Sequence, residues 1–329
     1  MEKFDAAFGD LPDPRAGNAR HDLLEIVFVA LAATLCGAQT CVDMALFARS
    51  KAPFLCEIVD MPHGPPSHDT FSRVFRLLDP EAFEAAFMAF IRVFAERLEG
   101  VVAIDGKALR GAYGRGAKTC PLHLVNVWAA EARLVVAQRL APGRSEVRGV
   151  LEAVALLDLA DCIVTADALH CRKDVAGAIR EAGGDYALAI KANQPQLLAE
   201  AERLLATGAG EMALGAIETG HDRTEQRRAQ IVAAPDFEAF SGMPGACAVA
   251  RVEAVRRSTQ GETLKARFFV LSTQLSAERL ASVVRAHWSI ENNLHWALDV
   301  SLGEDAARNR AGHGAQNLSL LRKLLAHMR

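Results

Sequence analysis

With 329 residues, the chain has room for two domains or for one core carrying a large insertion. Hydrophobic residues make up 51% and charged residues 23%, which excludes a disordered polyelectrolyte and fits a globular protein. The net charge of −3 excludes nucleic-acid binding through bulk charge alone, and seven cysteines without CxxC spacing argue against a disulfide frame or a zinc site.

In chain order, residues 20–97 read as all-helical. His21 and Asp22 precede an apolar segment that runs through Leu35, with Gly37 as its stop. The run EIVFVALAATLCGA within it is too short to span a membrane, and no basic-then-apolar leader opens the sequence, so a cytoplasmic protein is expected. A second helix is expected near 41–50. In GPPSHDTFSRVFRLL a Pro-rich turn leads to capping candidates Ser67 and Asp69, followed by Phe71, Val74, Phe75 and Leu78 at helical spacing. Pro80 interrupts, and EAFEAAFMAFIRVFAERL (81–98) continues as an amphipathic helix.

The texture changes at Val101. VVAID (101–105) is a short apolar run ending on an acid, and LHLVNVWAA (122–130) and RLVVAQRL (133–140) form an expected strand pair. A helix (147–158), the buried-type strand CIVTAD (162–167), a helix (173–182) and the strand YALAIK (186–191) predict a mixed sheet flanked by helices. Residues 195–265 interrupt that pattern with one helix (195–206) and short strands near 226–233 and 246–256. RFFVLS (267–272) adds a strand, and a long helix starts near Ala277. Two local basic clusters, GKALRGAYGRGAK (106–118) and DRTEQRRAQ (222–230), each read as solvated surface when taken alone.

Two strands end on aspartate, at Asp105 in AIDGK and Asp167 in VTADALH. Taken singly, each reads as a cap or a turn former. If the strands are neighbours, both carboxylates project from one sheet edge, and oxygen-only ligands suit Mg²⁺ or Mn²⁺. Glu291, at the border of a helical face made by Ile290, Leu294 and Leu298, is the candidate third carboxylate; alone, it reads as a partner of Arg285 or His287. His287, Glu291, His295 and Asp299 recur every fourth residue, so a zinc site on His287, Glu291 and His295 is a rival, weakened because that series rotates across the face. Two Asp and one Glu around two divalent ions would suit phosphodiester chemistry, with Lys107 and Arg110 placed to meet a DNA backbone.

The ordered segments AIDGKALRG (103–111), TADALHCRKD (165–174), YALAIKANQPQL (186–197) and HWSIENNLHWALDVSLGEDAARNR (287–310) resemble the H-repeat-associated insertion-sequence transposases, DDE enzymes with an RNase H-like core. LPDPR (11–15), RHDLLEIVFVALAATLCGA (20–38), PSHDTFSRVFRLLDPEAFE (66–84) and HDRTEQRR (221–228) extend the likeness over nearly the whole chain. The resemblance implies Asp105, Asp167 and Glu291 as catalytic ligands of two Mg²⁺ or Mn²⁺ ions. It implies a helical DNA-end-binding domain (1–98), an RNase H-like α/β catalytic domain (99–329) and an insertion at about 195–265. Lys107, Arg110, Arg73, Lys191, Asn193, His287 and Asn292 are then candidate DNA contacts, with His295 and Asp299 supporting the ligands. The implied partner is DNA, at the element's own ends and at a target in the bacterial cytoplasm, and joining two ends suggests a homodimer. Related enzymes carry Tyr, Arg and Lys where this sequence has Val284, His287 and Leu298, GRSEV (143–147) retains only Glu146 of a KSNEI-like segment, and the sequence stops soon after NLSLLRKLLAHMR. A shortened relative that binds DNA without cutting it is the alternative.

Overall fold

The structure, a computed structural model, describes all residues except 16, 18, 94–96, 114–120, 142, 144, 209, 216, 221–222, 259–260 and 327–329. Parts of the two basic clusters, of GRSEV and of the chain end therefore lie outside the described residues.

The first hundred residues form helices α1 (Glu2–Phe8), α2 (Leu23–Leu35), α3 (Cys41–Ser50), α4 (Ala52–Leu55), α5 (His68–Leu77) and α6 (Pro80–Arg92). Local chemistry sets their starts. The Asp22 side chain accepts from the Leu24 amide while Glu25 reaches back to the Asp22 amide, a reciprocal cap. Ser67 caps α5 through the Thr70 amide, so of the two candidates Ser67 is the cap. Asp79 caps α6, with Pro80 at its first position, where a missing amide proton costs nothing. Phe71, Phe75, Phe83 and Phe87 are fully buried between these helices.

The remainder is built on β1 (Gly100–Tyr113), β2 (Pro121–Ala129), β3 (Leu134–Leu140), α7 (Glu146–Val154), β4 (Cys162–Ala166), α8 (Lys173–Glu181), β5 (Asp185–Ile190) and α9 (Pro195–Ala206). It continues through β6 (Glu211–Leu214), β7 (Glu218–Gly220), β8 (Arg223–Ala233), α10 (Phe237–Ser241), β9 (Ala248–Ser258), β10 (Gly261–Leu271), α11 (Ala277–His287) and α12 (Gly314–Ala326). The described strands make one mixed sheet in the order β3-β2-β1-β4-β5-β10-β9-β8-β6, with β7 on β8. β1 runs antiparallel to β2 and parallel to β4, β4 is parallel to β5, and β10 is antiparallel to β5.

One expectation needs correcting. β4 ends at Ala166, next to Asp167, but β1 does not end at Asp105. Its pairing with β4 stops at Ile104↔Ala166, while Gly106–Leu109 go on pairing with Val125–Leu122 of β2. The insertion strands extend the core sheet through β5 and β10, because β10 pairs with β9 along its whole length and with β5 only through Phe268–Leu271. α12 packs on α2, α5 and α6 as well as on β3, so the last helix is shared between the two expected domains. Asn317 Nδ2 donates to the carbonyls of Phe75 and Leu78, both at 2.9 Å. Glu84 of α6 accepts from the Gln138 amide of β3 and pairs with Arg139, and Lys323 donates to Gln138 Oε1.

Beyond α11 the chain keeps winding through Ile290–His295 and Ala297–Ser301, but with i→i+5 hydrogen bonds, wider than an α-helix. In an α-helix residues four apart overshoot a turn, and in the wider winding they undershoot it. The drift reverses, and the polar series stays along one edge. The opposite face, Ile290, Leu294, Leu298 and Leu302, packs on Ala103, Trp128 and Val135 of the sheet.

Candidate active site

The register decides which acids meet. The pairing of β1 with β4 ends at Ile104↔Ala166, so Asp105 and Asp167 are the residues that follow the last paired positions of two adjacent parallel strands. Asp105 shares its face of β1 with Ala103, the face covered by the Ile290–Ser301 helix, and Glu291 comes from that helix. The charges feel one another. Burial, then repulsion from Asp167, Glu291 and Glu146, pushes the Asp105 carboxyl up to about 7, against the Gly106 amide, which lowers it.

The polar edge of the helix runs across the strand ends. His287 Nδ1 lies 3.0 Å from Thr165 Oγ1 on β4, two residues before Asp167. His295 Nδ1 is 3.4 Å from Asp105 Oδ2, and its Nε2 is 3.4 Å from Asn126 Nδ2 on β2. An amide nitrogen only donates, so Nε2 accepts and Nδ1 carries the proton that faces Asp105. Burial lowers the pKa of His295 to about 3 and that of His287 to about 4, so both rings are neutral at pH 7. His287 therefore cannot replace a DNA-contacting arginine by charge. The zinc arrangement fails as well, since the two Nδ1 atoms face Thr165 and Asp105. Among the described residues no three His, Cys, Asp or Glu side chains close on one point, and this holds for Asp105, Asp167 and Glu291 as it does for the zinc set.

Lys107 also departs from expectation. It is buried, and its Nζ donates to both carboxylate oxygens of Asp299 at 2.6 and 2.7 Å, with Asp305 at 4.0 Å. It is thus turned away from any DNA backbone, and Asp299 holds a lysine rather than a ligand side chain. Arg110 is exposed and pairs with Asp305 at 3.3 Å. Lys191 stands 3.5 Å from Asp167, Asn193 donates to the Ala168 carbonyl at 3.0 Å and braces the turn after Asp167, and Asn292 and Arg73 are exposed.

A group missed in the sequence flanks this edge. Arg227, Arg256, Lys265 and Arg267 share one face of β8, β9 and β10 with a single acid, Glu225, which pairs with Arg227 and Arg256. Arg267 lies over the Trp288 ring at 4.1 Å and Arg227 at 5.9 Å. A cleft of about 350 Å³ joins this face to Asp167, with Lys191, Lys265, Arg267, His287 and Trp288 in its wall. The alternation at 263, 265 and 267 would have shown the shared face, but only once β9 and β10 were known to pair.

The model of the Transposase DDE domain matches residues 96–329, and the DDE_Tnp_1-associated model matches 6–91. The chain belongs to the DDE transposase family. "Putative transposase YncI" of Escherichia coli O157:H7 is 31% identical to this transposase over 331 residues, spanning 97% of the chain and 85% of the relative. "H repeat-associated putative transposase YhhI" of Escherichia coli K12 is 31% identical, spanning 95% and 86%. A Xanthobacter autotrophicus protein from the dhlA 3' region is 41% identical over 66% of the chain and 76% of its own length. Among solved structures, a piggyBac transposase synaptic complex with hairpin DNA overlays 99% of the transposase and 70% of that chain, at 10% identity and a TM-score of 0.48. Among the described residues of the transposase, no helix is long and apolar enough to cross a membrane.

Proposed function

We propose that this transposase cuts and joins DNA strands at the ends of its own element, using Asp105, Asp167 and Glu291 as the ligands of divalent cations. The observation that supports this is the register of β1 on β4, whose last pair, Ile104↔Ala166, immediately precedes Asp105 and Asp167, with Glu291 on the helix that covers the same face as Asp105. The donor chemistry suits Mg²⁺ or Mn²⁺: the donors are oxygen alone, and a bound cation would offset both the burial and the lesser repulsion by Asp167, Glu291 and Glu146 that raise Asp105. Two such ions would activate the attacking water or 3′-hydroxyl and stabilise the leaving oxygen.

The chain's own residues set that arrangement. His295 presents Nδ1–H to Asp105, Thr165 and His287 fix the end of β4, and Asn193 holds the turn after Asp167. Arg267, Lys265, Arg256 and Lys191 offer phosphate contacts along the face that leads to Asp167, with Arg110, Arg73 and Asn292 as further exposed candidates. The order β3-β2-β1-β4-β5, with its antiparallel then parallel pairing, supports an RNase H-like core. On this reading residues 1–98 form the module that recognises DNA ends and 99–329 the catalytic domain with its insertion. The enzyme acts as a homodimer on two ends, in the cytoplasm beside the nucleoid.

The test uses the purified chain on DNA carrying the inverted repeats that flank its reading frame. Strand nicking or joining that requires Mg²⁺ or Mn²⁺, and that is lost below detection in Asp105→Asn, is expected. Activity retained in Asp105→Ala overturns the site. Salt-sensitive binding without cleavage by the wild type would leave only a DNA-binding relative.

A further inference from the structure

Asn126 lies within the buried run Leu124–Ala129 of β2 and is itself fully buried. Asparagine is depleted in strands, and a buried amide costs free energy wherever it is not hydrogen-bonded. Valine or leucine would fill the position at less cost. The register shows what surrounds it. Asp105, Asn126 and Gln138 are cross-strand partners on β1, β2 and β3, so three polar side chains form one row across the sheet. The neighbouring row, Ala103, Trp128 and Val135, is apolar. One end of the polar row is Asp105. The other is tied down: Gln138 Oε1 accepts from Lys323 of α12, and the Gln138 amide donates to Glu84 of α6.

Between these ends the Asn126 amide has a direction. Its Nδ2 lies 3.4 Å from His295 Nε2, while Oδ1, also buried, accepts no hydrogen bond from a described residue. His295 Nδ1 stands 3.4 Å from Asp105 Oδ2. With the amide reversed, Oδ1 would face the ring and Nε2 would carry the single proton of the neutral imidazole. The Nδ1 lone pair would then point at a carboxylate oxygen, which is repulsive. The orientation present leaves a buried carbonyl unpaired and turns Nδ1–H toward Asp105. A buried amide retained where its oxygen is unsatisfied points to a role for its nitrogen.

We infer that Asn126 is a positioning residue for DNA strand cutting: its amide fixes the tautomer and tilt of His295, so that Nδ1–H steers the Asp105 carboxylate. The inference rests on the assignment of Asp105 as a ligand, and the experiment separates the two. The full chain, with isotope-labelled histidine nitrogens, is studied by proton–nitrogen correlation NMR, and His295→Gln identifies the His295 signals. Wild type is expected to carry the proton on Nδ1. Asn126→Asp keeps the shape but can only accept, so a proton on Nε2 is expected. Asn126→Leu removes the donor at similar volume, so the proton is expected to exchange between both nitrogens. Single-turnover cutting of the element's ends in Mg²⁺ is expected to fall at least roughly tenfold in both variants, the size produced by changes beside a metal ligand. The KM for DNA is expected to stay unchanged. Loss of packing alone would lower the melting temperature and leave the proton on Nδ1. Circular dichroism melts confirm that each variant is folded, and Asn126→Leu decides the question where a buried aspartate prevents folding. A wild-type proton on Nε2, or a folded variant with the wild-type tautomer or cutting rate, overturns the role of Asn126. Failure of the wild type to cut, or full cutting by Asp105→Asn, overturns the ligand assignment instead, and the spectra then still decide whether Asn126 orients His295.

Discussion

Asp105 shows what one residue carries. Its folded pKa, about 7, stands above the ordinary 3.8, so the fold disfavours the ionised form. A carboxyl raised in this way leaves stability intact below the unfolded pKa and removes it as pH rises from 3.8 through about 7. Asp105→Asn removes the titration. In metal-free buffer the variant is expected to melt at the same temperature as wild type near pH 4 and several degrees higher at pH 8. Mg²⁺ at pH 8 is expected to close most of that gap by stabilising wild type only. Scanning calorimetry at the two pH values, with chelator and with Mg²⁺, reads both effects, and a gap that does not change with pH contradicts the environment described. The acids stood out in the sequence only as a set, because each taken singly reads as a cap or a turn former. Lys107 was not, since its partner Asp299 lies 192 positions away and no local pattern records that distance. The neutral state of His287 was equally hidden, because burial in the tertiary fold causes it.

At the scale of the element, the helix Ile290–Ser301 is a lever with two faces. Leu294 is fully buried against Ala103, Trp128 and Val135, and the neighbouring turn presents Glu291 and His295. Leu294→Ala is expected to cost about 2–5 kcal/mol, as other large-to-small core changes do. It is also expected to reduce DNA strand cutting further than the fraction unfolded explains, because Glu291 loses its support. A urea titration gives the first quantity and single-turnover cutting at a folded fraction near one gives the second. Cutting that falls only with the folded fraction would show that the face supports stability and not alignment. The fourfold spacing and the apolar stripe were both legible. The wider winding was not, since i→i+5 and i→i+4 hydrogen bonding differ in backbone partners while the side-chain pattern stays the same. The continuation of β1 past Gly106 was hidden for a related reason: β2, and not the composition of 106–113, sustains it.

For the whole molecule, the alternation of strands and helices gave the core sheet, but not how the ends of the chain close on it. The junction is α12, which packs on the N-terminal helices and on β3 at once. There Lys323 is completely buried beside Gln138, near Glu84, and burial pushes its ammonium down to about 7. The unfolded lysine keeps its proton up to about 10.5, so below pH 7 the fold bears the full cost of a buried cation. That cost fades as pH rises from about 7 toward 10.5, and stability rises with it. Lys323→Met keeps the volume and removes the charge. The variant leaves Gln138 Oε1 without its donor, a loss that does not change with pH, so the gap between variant and wild type isolates the lysine. Denaturation at pH 6.5 and pH 9.5 is expected to show the variant at its greatest advantage, or least disadvantage, at the lower pH. Raised thiols at Cys41 and Cys171 titrate in both proteins and cancel from the difference. A gap that stays constant would mean that Lys323 holds its charge through Glu84, so that the N-terminal helices are tied to the sheet by an ion pair across β3. A gap that narrows as expected makes Lys323 neutral at alkaline pH, and the helical module is then held to the catalytic sheet by packing together with the Glu84–Arg139 pair and the hydrogen bond from the Gln138 amide.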